Sequence, residues 1–317
     1  MTNNQVAAAG KPSVASAALM VARRAVHPRH MVELLKRLPK QTHEAKAVDD
    51  VQLRLYSEIL PGDFLNYGFF DEPDIAPEKL SLYDIQRAQL RYGQLLVAQI
   101  RDRDGLVLDA GCGMGGVLNL LVDQGFSPTA LTPNATQIKH VRNRHPMVPT
   151  VQGRFEDIPT EKFRGQFATV IMSESFQYMK LSAALAAMEK ILAPGGRWIL
   201  CDYFRVNDRA RKSGHVWADF VLALEKNNWQ IVSSQDITRN ALPTVRYVYM
   251  WGRRVGVPVA AFALEKLRRK RPALHYLFEE VIEQSCAYLL DQLELVNPET
   301  FARDKKYMML VIERMAR

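Results

Sequence analysis

The run "LVLDAGCGMGG", Leu106 to Gly116, holds the residues whose types and spacing point most clearly to chemistry. Apolar strand formers lead into an acid, Asp109, and then into glycines at positions 111, 113, 115 and 116. Glycine lets a backbone turn tightly and approach a ligand closely. Gly111, Gly113 and Gly116 satisfy the G-x-G-x-x-G spacing that seats a pyrophosphate on a helix N-terminus. Two features argue for another ligand. Asp109, at the strand end, is a poor neighbour for a phosphate and a good acceptor for an ammonium group. A dinucleotide site also needs an acid about twenty residues on, for the ribose hydroxyls. The segment there is "ALTPNATQ", Ala130 to Gln137, which contains none.

Such a turn needs a scaffold, and the surrounding pattern supplies one. From Gly105 onward, short apolar runs ("LVLDAG", "SPTALT", "VPTVQGRF", "QFATVIMSES", "RWILCDYF") alternate with helical ones ("GVLNLLVDQG", "NATQIKHVRNRH", "LSAALAAMEKIL"). This alternation predicts a doubly wound, Rossmann-like α/β fold with a seven-stranded, mostly parallel sheet whose last strand is antiparallel. Ligands in such sheets bind at the carboxyl ends of the strands. Val245 to Leu295 reads as mostly helical before a late strand, "KKYMMLVIERM", so a helical cap is expected between the last two strands. The expected organisation is a disordered tail over 1–18, an N-terminal helical and lid region over 19–100, a binding core over 101–244, the cap over 245–298 and the final strand over 299–317.

The 317 residues are 48% hydrophobic and 24% charged, as in ordinary globular proteins. No apolar run is long enough to span a membrane. The N-terminal apolar patch precedes its main charge cluster, the wrong order for a secretory signal. Cys112, Cys201 and Cys286 form no CxxC pair, which fits reduced thiols and a cytoplasmic location. The net charge of +8 is uneven: residues 1–46 hold eight Lys/Arg against two acids, and residues 252–275 hold seven against one. Basic blocks suit nucleic acid, anionic lipid or an anionic small substrate. No nucleic-acid module accompanies them, and no metal-ligand spacing is read.

"VLDAGCGMGG" resembles motif I of the class I S-adenosylmethionine-dependent methyltransferases, and the later motifs follow in that family's order. "GRFEDIP" resembles the adenine-contacting loop, "FATVIMSESFQYM" the fourth strand and its exit, and "ILAPGGRWILCDYF" the turn into the fifth strand. Thr132 and Gln137 resemble the pair that cyclopropane-fatty-acid synthases and mycolic acid methyltransferases carry in place of the ribose-binding acid. The long cap resembles that of sterol methyltransferases and cyclopropane synthases, and "FLNYGFF" resembles their aromatic lid loop. Two departures stand out. The synthases' "FEH" is here Phe176, Gln177 and Tyr178, and the usual first acid of the adenine loop is Arg154, which leaves Glu156 or Asp157.

The resemblance implies S-adenosyl-L-methionine as cofactor, held by Tyr67, Asp109, Gly111, Cys112, Gly113, Gly115, Thr132, Pro133, Gln137, Phe155, Glu156 and Ser173. Catalytic candidates are Glu174 as a base, with Tyr178 and Tyr67. Candidates for the acceptor are Phe69, Phe70, Phe176, His215, Tyr247, Trp251 and Arg246, with Tyr249 nearby and Arg253 and Arg254 for an anionic head. An alkene acceptor becomes cationic on methylation, which aromatic faces stabilise, and a base must then remove a proton. The function expected is methyl transfer to a small hydrophobic acceptor, C-methylation of an alkene or isoprenoid such as a prenyl diphosphate. The alternatives are O- or N-methylation of a natural product, lipid or sterol methylation, a dinucleotide oxidoreductase, and a non-catalytic scaffold. The expected partners are that acceptor, an anionic membrane touched by the basic N-terminal helix, and a second copy of the chain, but no nucleic acid.

Overall fold

Seven strands form one sheet: β1 (Leu106–Ala110), β2 (Ser127–Thr132), β3 (Thr150–Gln152), β4 (Phe167–Ser173), β5 (Leu192–Arg205), β6 (Trp229–Asp236) and β7 (Lys305–Arg314). The structure, a computed structural model, describes residues 28–29, 62–207 and 214–315. The described fold belongs to the second of the chain's two units, Ala47–Arg317. The tail expected over 1–18 and most of the basic helix expected over Leu19 to Leu38 lie outside the described residues.

The strand order is β3-β2-β1-β4-β5-β7-β6. β1 to β5 pair in parallel, and β7 runs antiparallel between β5 and β6, as the sequence predicts. Central parallel strands covered on both faces need near-continuous apolar sequence. Val107, Leu108 and Ala110 in β1 are all fully buried, and Asp109 is buried among them. The strand order reverses between β1 and β4, which makes the carboxyl ends of these two strands the expected binding crevice.

Helices cover both faces. α1 (Leu82–Val97) starts at a capping box, in which Ser81 Oγ accepts from the Asp84 amide and the Asp84 carboxylate accepts from the Ser81 amide. α2 (Gly116–Asp123) follows the glycine turn. α3 (Ala135–Arg144) is capped by Asn134, whose Oδ1 accepts from the Thr136 and Gln137 amides. α4 (Leu181–Ile191) and α5 (Trp217–Lys226) complete the core. One buried cluster gathers Phe176, Trp198, Phe220 and Trp229, and a second gathers Tyr92, Leu96, Ile199 and Tyr307.

Two details differ from the sequence reading. "APGG" lies within the extended run of β5 rather than in a separate turn. A register shift opposite Phe167 to Thr169 absorbs the extra residues, with Gly195 at φ 69°. The insertion between β6 and β7 starts before Val245, because α6 (Thr238–Trp251) begins inside the core, where Ala241, Leu242 and Val245 are buried. After α6 come a π-helical turn (Gly252–Gly256), α7 (Val257–Lys270), α8 (Pro272–Leu277), α9 (Glu279–Leu295) and α10 (Pro298–Asp304). Gly252 lies against Leu293 of α9, whose Cδ1 would be 2.4 Å from a Cβ at that position. Among the described residues, no helix is long and apolar enough to cross a membrane.

Candidate active site

At the end of β1 the chain makes three left-handed glycine steps, Gly111 (φ 88°), Gly113 (φ 55°) and Gly115 (φ 95°), before α2 begins. The Gly111 and Cys112 amides both donate to the Leu131 carbonyl, at 2.7 and 3.0 Å, which ties the turn to β2. Gly111 also touches the exit of β4. A Cβ there would lie 2.2 Å from Ser175 Cβ, while Ser175 Oγ donates to the Ala110 carbonyl at 2.6 Å. Gly113 is open by comparison, its nearest neighbour being Leu65 Cδ1 at 3.6 Å.

Asp109 lies beneath this turn. It is 1% exposed, and its Oδ2 has no hydrogen-bond partner. A buried carboxylate without a partner is costly, and burial pushes the Asp109 carboxyl up to about 7. An ammonium group placed at this oxygen would satisfy both the charge and the open acceptor. Across the turn, Thr132 Oγ1 donates to Gln137 Oε1 at 2.6 Å and accepts from the Asn134 amide. The amide NH2 of Gln137 is thus left as a donor where an acid would be an acceptor, which suits a ribose oxygen. The residues therefore fit the amino-acid and ribose parts of S-adenosylmethionine.

The lid loop from Gly62 to Pro73 runs over this crevice and is fastened along its length. Phe64 fills the space beside Gly93 and Gly116, where a Cβ would approach its ring to 2.9 and 2.5 Å. Asp63 bonds Asn119 and His140 and pairs with Arg144. The Phe69 amide donates to the Ala88 carbonyl, and Phe70 exchanges hydrogen bonds with Asn240 on α6.

Glu174 follows β4 in a left-handed backbone conformation (φ 50°), which a non-glycine residue rarely adopts and which is often found at functional sites. Its Oε1 accepts from the Tyr67 amide at 3.1 Å and from the Tyr307 hydroxyl in a short bond. Burial nevertheless pushes its carboxyl up to about 7, the two hydrogen bonds opposing the shift. Asp202 is raised by burial to about 8, although it accepts from the Gln177 and Tyr203 amides. Burial lowers Lys305 to about 8 against the pull of both acids, and its ammonium lies 4.0 Å from the Tyr203 ring centre. Tyr67, Tyr92, Tyr203, Phe301 and Tyr307 surround these charges, with ring centres 5.6 to 6.4 Å apart in the contacting pairs.

The structure brings Asp109, Gly111, Cys112, Gly113, Gly115, Thr132, Pro133, Gln137, Ser173, Glu174 and Tyr67 to the carboxyl ends of β1, β2 and β4. The other expected site residues have their side chains engaged or placed as follows. Phe155 and Phe176 are fully enclosed in the core, Phe176 between Trp198, His215 and Phe220. His215 precedes α5 and bonds the Phe176 carbonyl through Nε2, and burial lowers its pKa. Glu156 accepts from the Lys180 amide. Phe69 and Phe70 anchor the lid in two buried apolar clusters, and Tyr247 packs against that of Phe70. Tyr178 and Trp251 are exposed. Arg246 donates to the Pro73 carbonyl, Arg254 pairs with Glu78, and Tyr249 bonds Glu294. The sequence reading did not single out Tyr92, Asp202, Tyr203, Phe301, Lys305 or Tyr307. The one local signal was an acid inside an apolar strand, Asp202 in "ILCDYF".

Residues 83–240 match the model of a family described as a methyltransferase domain. A fatty-acid O-methyltransferase of Mycolicibacterium smegmatis is 28% identical over 144 residues, 44% of this chain and 52% of that protein. The chain thus spans about half the length of the curated relatives it matches, or less. A solved structure of a sarcosine dimethylglycine methyltransferase homologue from Galdieria sulphuraria superposes with a TM-score of 0.62 at 16% identity, covering 84% of this chain and 99% of the other. A geranyl diphosphate C-methyltransferase from Streptomyces coelicolor A3(2) superposes with a TM-score of 0.61 at 15% identity, covering 86% and 99%. At these identities the two structures are similar in fold.

Proposed function

Because this chain belongs to the class I S-adenosylmethionine-dependent methyltransferases, we propose that it transfers a methyl group to a small apolar acceptor, with Glu174 as the base of a C-methylation. The observation that carries the proposal is a pair of carboxyls at the adjacent ends of β1 and β4. Asp109 is buried with Oδ2 unpartnered, and the half-buried Glu174 is bonded by the Tyr67 amide and the Tyr307 hydroxyl.

When bound, S-adenosylmethionine supplies an electrophilic methyl group on its sulfonium. Asp109 would accept from the ammonium, the open backbone at Gly113 would admit the amino-acid end, and Gln137 would donate to the ribose. The fastened lid, with Phe64 and Tyr67, excludes water and holds the acceptor in line, the source of much of the rate in such reactions. An alkene gains positive charge as its new C–C bond forms and the S–CH3 bond breaks to leave a neutral thioether, and the Tyr67 ring and the ionised Glu174 carboxylate would stabilise that charge. Both donors to Glu174 address Oε1, which leaves Oε2 to take the proton. The C–H electrons then restore a double bond. A cleft beside Lys305 is lined by Arg239, Arg303 and Lys306 together with Asp71 and Asp236, and an anionic head bound there would have to compete with Asp74 for Arg239 and with Asp304 for Arg303.

A second reading is O-methylation of a carboxylate lipid. It is favoured by the likeness to the fatty-acid O-methyltransferase and by Lys305, whose ammonium could hold the carboxylate. This reaction needs no base. The test is an acceptor screen with methyl-labelled cofactor, divided into prenyl diphosphates, fatty acids or sterols, and phenolic metabolites. Label in a prenyl diphosphate supports the first reading. No such product alongside turnover of a fatty acid selects the second.

A further inference from the structure

Two cap helices present apolar side chains to solvent. α7 has no buried residue, and no described residue of α9 is buried. Trp251, Val255, Val259, Phe262 and Lys266 recur at spacings of three and four, so they share one face of the continuous α6–π–α7 helix. Val259 is 60% and Phe262 68% exposed, and on α9 Tyr288 and Leu289 are 61% and 59% exposed. Helices of 14 and 17 residues are marginal in water unless an apolar face is packed. Exposed apolar surface of this kind marks an interaction site.

Charge identifies the occupant. α7 carries Lys266, Arg268, Arg269 and Lys270 against the single acid Glu265, and Arg271 follows it. α9 carries five acids and no Lys or Arg. An anionic membrane would attract α7 and repel α9. A second copy of the chain satisfies both helices at once. Under a two-fold axis, α7 of each copy meets α9 of the other, apolar face on apolar face and basic flank on acidic flank, and the contact is made twice. We propose that α7 and α9 are the arms of a homodimer.

Light scattering on the full chain, eluted from a sizing column at micromolar concentration, tests this directly. The expected mass is twice the chain's 36.0 kDa, and Phe262→Glu, at an exposed position, halves it with an unchanged circular dichroism spectrum. Two charge reversals serve as the second test. Arg268→Glu with Arg269→Glu, and Glu279→Lys with Glu283→Lys, each yield monomers alone, whereas mixing the two proteins restores the doubled mass. A monomeric wild type, a Phe262→Glu protein that stays dimeric, or a mixture that stays monomeric overturns the proposal. So does a monomer that pellets with phosphatidylserine vesicles and loses that binding in Phe262→Glu, which would assign the face to a membrane.

Discussion

Replacing Asp109 with Asn should stabilise the ligand-free protein while weakening its hold on the cofactor. In the folded chain this carboxyl is raised from 3.8 to about 7 by burial alone. A raised acid binds its proton more tightly in the folded state than in the unfolded state. The contribution of this group to stability is therefore greatest below pH 3.8, falls as pH rises toward about 7, and stays reduced above that. At about 1.4 kcal/mol per unit, the full loss is about 4 kcal/mol. Asn removes this cost but buries amide hydrogens, which takes back about 1–3 kcal/mol if they find no acceptor. A net gain of about 1–3 kcal/mol at pH 8 raises the melting temperature by several degrees, and its slope between pH 5 and 8 flattens. Binding changes in the opposite direction. Losing a hydrogen bond to a charged group costs about 1.5–3 kcal/mol, so affinity for S-adenosylhomocysteine falls roughly 10- to 150-fold. Thermal melts of stripped protein across pH, together with calorimetric titration, read both effects. An affinity within twofold of wild type, or a melting temperature with unchanged pH slope, refutes the assignment of Asp109.

Further predictions concern the base and the turn. With Glu174 as the proposed base, the rate of C-methylation should rise with pH through about 7. Glu174→Gln should lower that rate by roughly 10²–10⁴-fold while leaving any carboxylate O-methylation near its wild-type rate, as assays with the two acceptor classes would show. Tyr307→Phe removes a donor that holds the Glu174 carboxyl down. Its pH–rate midpoint should move up by about 0.7 unit for a bond of about 1 kcal/mol, and an unmoved midpoint would count against the pairing. Gly113→Val forces a β-branched residue to φ 55° and should cost about 1–3 kcal/mol of stability, while abolishing cofactor binding in protein that circular dichroism shows to be folded. Gly111→Ala should instead destabilise the fold, because its Cβ meets Ser175 Cβ at 2.2 Å.

Much of the sheet and half of the site could be read from local sequence. Asp109 and the glycines belong to one strand and its turn, where chemistry and backbone conformation are set by neighbouring residues. Thr132 and Gln137 are five residues apart across a helix cap, so their contact also follows from local geometry. The other half depends on strand register. Tyr307 reaches Glu174 from 133 residues away, because β7 pairs antiparallel with β5 and sets Tyr307 opposite Tyr203. Periodicity identifies β7 as a strand but does not state that register. The same reason explains Lys305, which faces Arg205 in the pairing. Phe176 shows the reverse error. Its place just after β4 suggested the crevice, but the short helical turn from Phe176 to Tyr178 directs its ring into the core. α6 is helical on both sides of Val245, so periodicity marks no boundary there, and only packing separates its buried start, Ala241 to Val245, from its more exposed end.

The most direct test of the cofactor assignment is calorimetric titration of the stripped protein with S-adenosylhomocysteine and, separately, with NADH. The structure predicts a single saturable site for S-adenosylhomocysteine, lost in Gly113→Val, and no heat from the dinucleotide. Saturable binding of NADH, or no binding of S-adenosylhomocysteine to a folded protein, would contradict it.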